Sequence, residues 1–456
     1  MRLSLKEKLG FGIGDLACNL VFNTITFYLM FFYTDVYGIS AAAAATLLLL
    51  ARLMDGVWDV GVGLWVDRTQ SRWGRCRPFL LFAAPLLALM AVACFYVPET
   101  NQVNKLIFAY VSYIGLMMVY SLVTIPYAAM PTLITADPDQ RTRLQSVRMF
   151  CGVAGSLIVS SVTLPLVGWF GKGQAAHGYF LTMSLYGVVA LALLWICFAR
   201  TKERVSSAAE APEIGPDLRA TLGSRPWWLL ALAMLCVFTA FLLPASVTMY
   251  YFTYVVGDIS RVGSFFVVGN LGSFVGILIS DQLAQRFCKR DVTRCLAVCT
   301  SGIFLMYLVV DPASTWQLLT LSGLASASLF GIAPLVMSMM ADTADSIELK
   351  TGRRVVGLSS SAISLAAKVG MGLGSAIAGI LLTAFGYQAG AIQSLSALQG
   401  IRLSMSVAPA VTMLLFAGLM SLYPLNRSAL SRIQRELALQ RNSRAATIKS
   451  SVPLNT

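Results

Sequence analysis

The feature that most constrains this chain is a series of apolar runs separated by short polar loops. They cover residues 11–33, 41–66, 79–97, 106–134, 149–170, 180–198, 227–256, 262–283, 292–310, 316–340, 355–385 and 403–425. A bilayer core is crossed by about 20 apolar helical residues, and each run is of that order. Only helices or closed barrels satisfy the backbone in lipid, and runs this long select helices. The composition agrees: the 456 residues are 57% hydrophobic and only 12% charged, against about 25% charged for soluble domains. The sequence predicts an all-α polytopic membrane protein with twelve transmembrane helices.

The net charge of +13 does not indicate a nucleic-acid partner, because its distribution explains it. Basic residues cluster after every second run: Arg68, Arg72, Arg75 and Arg77; Arg141 and Arg143; Arg200, Lys202 and Arg204; Arg286, Lys289 and Arg290; Lys350, Arg353 and Arg354; and the tail beyond residue 425. The intervening loops, such as 35–40 and 311–315, carry almost none. Positive charge marks the cytoplasmic face, so both termini of this multi-pass protein are expected there. The nine cysteines show no zinc or disulfide spacing and read as small apolar residues. The N-terminus shows no cleavage site, so the first run reads as a retained anchor.

A polar, proline-containing stretch over 201–226 reads as a cytoplasmic linker. It separates a six-helix half over 1–200 from a second over 227–425, with 426–456 a cytoplasmic tail whose end lacks apolar content. Loops after the second helix of each half place an acid, Asp67 or Asp281, at the helix end before basic residues. That positional repeat points to two halves of like orientation.

The informative residues interrupt the apolar runs. In the second run, Arg52, Asp55 and Asp59 lie within two turns. Asp55 and Asp59, spaced i, i+4, share a face; each charge at mid-membrane costs roughly 2.5–3.5 kcal/mol. Two like charges on one face need a proton or cation between them. A structural reading, an Arg52–Asp55 pair packing two helices, competes with a cation site, which we favour. The first run carries Asp15, Asn19 and Asn23 at successive i, i+4 positions. They form either an interhelical hydrogen-bond seam or the wall of a water-filled cavity; the charge on Asp15 favours the cavity. Gly370-Met371-Gly372-Leu373-Gly374 lies inside an apolar run with no preceding strand, so it is no dinucleotide loop. Its small residues, like Gly272 and Gly276, fit close helix approach. His177 is the only histidine and is expected in an outer loop. With no GxSxG or Walker A pattern, the chain reads as a non-enzyme without organic cofactor or structural metal.

Tyr33-Thr34-Asp35-Val36-Tyr37-Gly38, Ala51-Arg52-Leu53-Met54-Asp55-Gly56-Val57-Trp58-Asp59 and Asp67-Arg68-Thr69-Gln70-Ser71-Arg72-Trp73-Gly74-Arg75 recur together with Ile125-Pro126-Tyr127, Ala341-Asp342-Thr343-Ala344-Asp345, Thr351-Gly352-Arg353-Arg354 and Lys368. Over residues 5–425 this set resembles the glycoside–pentoside–hexuronide:cation symporters, which have the major facilitator fold. Within that family, Asp59-Val60 and the segment after Arg77-Pro78 look more like its glucuronide-carrier branch than its melibiose-permease branch.

The resemblance implies a cation site at Asp55 and Asp59 with hydroxyls from Ser121 and Thr124, the coupling ion being Na⁺ or H⁺. It implies a sugar site of Asp15, Asn19, Asn23, Tyr120, Thr124, Arg148 and Lys368, although Arg148 also reads as an interfacial anchor. Thr124 and Ala128 replace an acid and a tryptophan of the melibiose-permease pattern. With fewer acids in the cavity, an anionic hexuronide or β-glucuronide is expected over a neutral galactoside or pentoside. Asp67, Arg72, Arg75, Asp281, Asp342 and Asp345 are expected to latch the two halves on the cytoplasmic face. The expected partners are a small glycoside and the bilayer, with the monomer functional. Lysolipid symport and a non-transporting membrane sensor are the other readings.

Overall fold

The structure, a computed structural model, describes residues 3–205, 219, 221–351, 356–425, 429–433, 435–437 and 439. Most of the expected linker, Arg353 and Arg354, the side chain of Asp281 and the tail from 440 onward lie outside the described residues.

Among the described residues, twelve long helical stretches follow one another. α1 runs Leu5–Thr24 and continues through π-helical turns at Ile25–Leu29 and Phe32–Val36. Then come α2 Ala41–Arg68, α3 Arg77–Cys94, α4 Gln102–Ile134, α5 Pro138–Gly171 and α6 Ala175–Arg200. α7 covers Arg225–Val256, its end again π-helical over Tyr251–Val256. α8 Arg261–Arg286, α9 Lys289–Met306, α10 Thr315–Thr351 and α11 Val356–Ala384 follow. α12, Leu395–Leu422, is broken at Ser406. Ten of these are long and apolar enough to cross a membrane. α1 opens on Lys6-Glu7-Lys8 and carries Asp15, and α9 opens on Lys289-Arg290-Asp291, which lowers their hydropathy.

The helices start and stop where capping chemistry says, not where hydropathy does. Apolar sequence places the start of α5 near Met149, but it begins eleven residues earlier, at Pro138. Asp137 caps it through the Asp139 N–H at 3.0 Å, and Pro138 at N1 suits a position that needs no N–H donor. Arg148 therefore lies well inside α5, not at its mouth. His177 stands in the first turn of α6 rather than in a loop, and has no role in the site below.

α1 packs on α5 and α6, α2 on α4, and α3 on α4 and α6; α7 packs on α11 and α12, α8 on α10, and α9 on α10 and α12. Contacts between the first six and last six helices run through α2–α11, α5–α8 and the π-helical part of α1 with α7. Glycine permits the closest approaches. A methyl on Gly272 or Gly276 of α8 would strike the Gly323 or Ala327 carbonyl oxygen of α10. One on Gly372 of α11 would sit 3.0 Å from Leu49 Cδ1 and 3.2 Å from Arg52 Cβ of α2. Between α5 and α8, Asn270 accepts from Ser156 Oγ at 2.8 Å and donates to Ser160 Oγ at 2.9 Å.

At the end of the bundle that carries Asp35, one carboxylate gathers α1, α7 and the segment after α11. Asp35 accepts from the hydroxyls of Tyr254, of Tyr387 at 2.6 Å and of Thr34 at 2.6 Å. Thr34 also meets the Tyr250 hydroxyl at 2.7 Å, and the Tyr250 and Tyr387 rings cross edge to face. At the opposite, basic end, Glu203 accepts from the Arg75, Cys76 and Arg77 N–H groups at 2.7–2.9 Å. Arg204 pairs with Glu7 at 2.7 Å, and that hydrogen bond raises the guanidinium above its ordinary pKa.

Because the extra methyl of Gly276→Ala has only backbone to displace, the variant is expected to lose about 1–3 kcal/mol by overpacking. Thermal unfolding in detergent should show a lower midpoint than for Gly302→Ala, whose methyl meets open space. Equal midpoints would mean that α8 and α10 stand further apart than described.

Candidate functional site

α2, α4 and α11 bring the central ionised groups together. Trp58 donates its indole N–H to the Met118 carbonyl at 3.0 Å, fixing the rotation of α2 against α4. That rotation aims Asp55 and Asp59 at Ser121, whose Oγ lies 2.6 Å from Asp55 Oδ1 and 2.7 Å from Asp59 Oδ1. From α11, the Lys368 ammonium lies 2.7 Å from Asp55 Oδ2 and 2.5 Å from Asp59 Oδ2. Each carboxylate thus presents one oxygen to Ser121 and the other to Lys368.

The side chain of Asp55 is 2% exposed, whereas those of Asp59 and Lys368 are 27% and 20% exposed. Buried charge is tolerated when paired and hydrogen-bonded, and this cluster meets that condition. It still carries one more negative than positive charge. Proton counting sharpens the point: a serine hydroxyl has one hydrogen to donate. It serves one carboxylate at a time, although both stand at hydrogen-bond distance from it. The arrangement is formally one positive charge short.

A second charged group lies between α1 and α5. Arg148 Nε donates to Asp15 Oδ1 at 2.8 Å, and its guanidinium stands 5.1 Å from the Tyr127 ring centroid. Asn19 donates to the Asp15 carbonyl at 2.8 Å and to its carboxylate at 3.2 Å, and Asn23 donates to Asn19 at 3.1 Å. Gly152 of α5 leaves room for the Asp15 carboxylate where a methyl would collide. The stripe is therefore a hydrogen-bonded ladder along α1, closed at one end by Arg148.

Several expectations need correction against this geometry. Lys368, expected among the sugar ligands, stands here between the two acids, which hold an ammonium more strongly than neutral hydroxyls would. Unlike Ser121, Thr124 donates its hydroxyl proton not to the acid pair but to the Tyr120 carbonyl of its own helix at 3.0 Å, the usual back-bond of a helical threonine. Tyr120 stacks on Phe22, centroids 5.8 Å apart. The alternative Arg52–Asp55 pair is not formed; Asp55 is taken by Ser121 and Lys368, and the Arg52 guanidinium lies 5.4 Å from the Phe22 ring centroid.

Of the expected latch residues, Asp67, Arg72, Arg75 and Asp342 make contacts within one set of helices. Asp67 pairs with Arg75 of its own loop at 3.6 Å, and Arg72 stacks over Trp73 at 4.2 Å. Asp342 of α10 takes Lys289 of α9 at 2.8 Å. Each finds a nearer partner on its own side. Asp345 is engaged, and the side chain of Asp281 is outside the described residues.

The sequence reading overlooked Phe22, Arg52 as a group distinct from the acid pair, and the Asp35 cluster. The pairing of Asp35 with two tyrosines more than 200 residues away leaves no local sequence signal.

Comparison with known proteins accords with this architecture. The family model described as MFS/sugar transport protein matches residues 10–427. The chain is 35% identical to a protein of Escherichia coli (strain K12) provisionally named glycoside/cation symporter YagG, covering 98% of each. It is 34% identical to the isoprimeverose transporter of Lactiplantibacillus pentosus over 89% of this chain and 85% of that one. It is 32% identical to the glucuronide carrier protein homolog of E. coli (strain K12) over 96% of each. Among solved structures, an inward-facing bacterial homolog of the human lysosomal transporter Spinster superposes with a TM-score of 0.65 at 16% identity, covering 95% of this chain and 97% of that one. A D-xylose-proton symporter gives 0.60 at 15% identity, over 90% and 96%. Helices with paired charges at their centre, this fold and these relatives lead to one assignment: the chain belongs to the MFS/sugar transport family, a multi-span membrane transporter among the cation-coupled glycoside symporters and not an enzyme.

Proposed function

We propose that this chain imports a carboxylated glycoside, a hexuronide or β-glucuronide, together with Na⁺ or H⁺ across a bacterial inner membrane, its termini on the cytoplasmic side and the monomer as working unit. The observation that carries the reading is the shared cluster of Asp55, Asp59, Ser121 and Lys368, which is one positive charge short.

The coupling follows from competition for the same oxygens. A hard cation takes oxygen ligands, and the two carboxylates with the Ser121 hydroxyl offer them. A cation entering there weakens the hold on Lys368, whose ammonium is then free to meet an incoming anionic or hydroxyl-rich solute. A carrier holding the cation alone leaves the Lys368 ammonium without its carboxylate partners, and one holding the solute alone adds negative charge to an acid pair already in excess. The empty form, with Lys368 on the acid pair, and the doubly loaded form, with the cation on the acid pair and Lys368 on the solute, carry the same net charge and leave no group unpartnered. Because the carboxylated glycoside carries one negative charge, one-to-one symport with Na⁺ or H⁺ is electroneutral, and accumulation is driven by the cation's own concentration gradient at about 1.36 kcal/mol per decade: a gradient of about 10- to 100-fold supports accumulation of the same order.

The two six-helix halves, 1–200 and 227–425, rock about this cluster. In the conformation described, the Asp35 end is drawn shut by Tyr254, Tyr387 and Tyr250, and we assign it to the outer face. Asp67, Asp281 and Asp345 lie at the basic end, which we assign to the cytoplasm, and take up partners across the halves when that end closes.

Two outcomes test the reading in reconstituted vesicles with separately imposed Na⁺ and H⁺ gradients. Asp59→Asn is expected to reduce the accumulation ratio from tens to about one while leaving the protein in the membrane; undiminished accumulation would remove Asp59 from the mechanism. β-Glucuronides are expected to displace labelled substrate more effectively than neutral galactosides. Displacement by neutral glycosides alone would refute the carboxylated substrate. Weakening the outer closure with Tyr254→Phe and Tyr387→Phe is expected to increase labelling of a cysteine placed at Thr34 by an impermeant external thiol reagent several-fold; unchanged labelling would deny the cluster a closing role.

A further inference from the structure

We propose that Arg52 is the group that recognises the substrate carboxylate and so sets the preference for an anionic over a neutral glycoside; this rests on the carboxylated-glycoside reading above. Arg52 lies on α2, one turn from Asp55 toward the Asp35 end, and is 4% exposed. A guanidinium buried at mid-membrane carries a large desolvation cost unless a partner offsets it. The other two cations of the cavity have such partners: Arg148 holds Asp15, and Lys368 holds Asp55 and Asp59. Among the described residues Arg52 has no carboxylate partner in an ion pair; its guanidinium lies beside the Tyr113 hydroxyl and stands 5.4 Å from the Phe22 ring centroid. That cation–π contact supplies less than an ion pair.

The surroundings suit a carboxylated sugar. Phe22 and Tyr120, stacked at 5.8 Å and 25°, are both partly exposed and give an apolar platform beside the guanidinium. A pyranose ring presents C–H groups on one face and, in a hexuronide, a planar carboxylate at its edge. The platform takes the first and Arg52 the second, since a guanidinium fork matches a carboxylate bidentately. On the opposite side, Gly372 of α11 leaves the Arg52 stem only van der Waals room, so the guanidinium is held toward α1 and α4. Arg148 is less suited to the role because Asp15 already holds its Nε edge.

The test compares a nitrophenyl β-glucuronide with the matching nitrophenyl β-glucoside, which differs at the carboxylate alone. Half-saturation for each is measured in vesicles for the wild type, Arg52→Gln and Arg52→Lys. A charge-assisted hydrogen bond of ordinary strength predicts that Arg52→Gln worsens the glucuronide-to-glucoside ratio about 10- to 100-fold. Arg52→Lys, which keeps the charge and loses the fork, recovers part of it. The ratio is internal to each variant, so a general loss of active protein cancels. Binding of both glycosides to purified Arg52→Gln in detergent gives the same ratio if that variant fails to transport. An unchanged ratio overturns the role of Arg52 even if the wild type prefers the glucuronide. A wild type that takes the glucoside and ignores the glucuronide overturns the substrate reading itself, and the Arg52 assignment with it.

Discussion

One lysine ammonium placed between two carboxylates organises the centre of this molecule. Lys368 belongs to α11, and Asp55 and Asp59 belong to α2, so the strongest electrostatic contact in the core joins the two sets of helices. Asp55 is buried and Asp59 and Lys368 are only partly exposed, which limits screening and makes loss of the contact costly unless another cation replaces the ammonium. That exchange, ammonium for ion, is the step a cotransporter requires: a bond across the interface that only a specific ligand can release.

The architecture and the acid pair were legible in the sequence because both rest on local physics. Apolar runs give helices, alternating basic loops give their direction, and i, i+4 spacing puts Asp55 and Asp59 on one face. Ser121 was legible through resemblance alone, and its geometry follows from the Trp58–Met118 bond, which no spacing rule predicts. The misplaced residues share a cause. Lys368, Thr124 and Arg52 were each assigned by side-chain chemistry, but a side chain is taken by its nearest partner, and that partner lies on another helix or in its own backbone. Helix boundaries erred for a related reason. Hydropathy sees the apolar middle of α5, while Asp137 and Pro138 at its start are polar or small and register only as capping signals.

The charge inventory of the cavity also changes its meaning once partners are known. Asp15 and Arg148 neutralise each other, and Lys368 offsets half of the acid pair, so neither cation is free for a solute while the carrier is empty. Arg52 is left as the cation whose compensation is weakest, and it stands beside the stacked Phe22 and Tyr120. A site that leaves a charge unsatisfied when the wrong solute enters discriminates more strongly than shape alone, and the proposed role of Arg52 is of that kind.

The inner cluster and the outer closure are carried by one element. Lys368 lies near the middle of α11 and Tyr387 just beyond its end, nineteen residues and roughly 28 Å apart at helical rise. Between them, Gly372 packs on Leu49 and Arg52, and Gly379 against Ala41 and Ala45 of α2. Contacts this close leave little space for the two helices to slide, so α11 tilts against α2 rather than shearing past it. A tilt that opens the Asp35 end withdraws Tyr387 from its carboxylate, and the same rotation bears on Lys368 at the acid pair. Filling the acid pair with a cation removes the bond that resists this rotation at the centre. In the proposed cycle Lys368 and Tyr387 are thus two points on one lever, and the small residues along its inner edge hold that lever against α2.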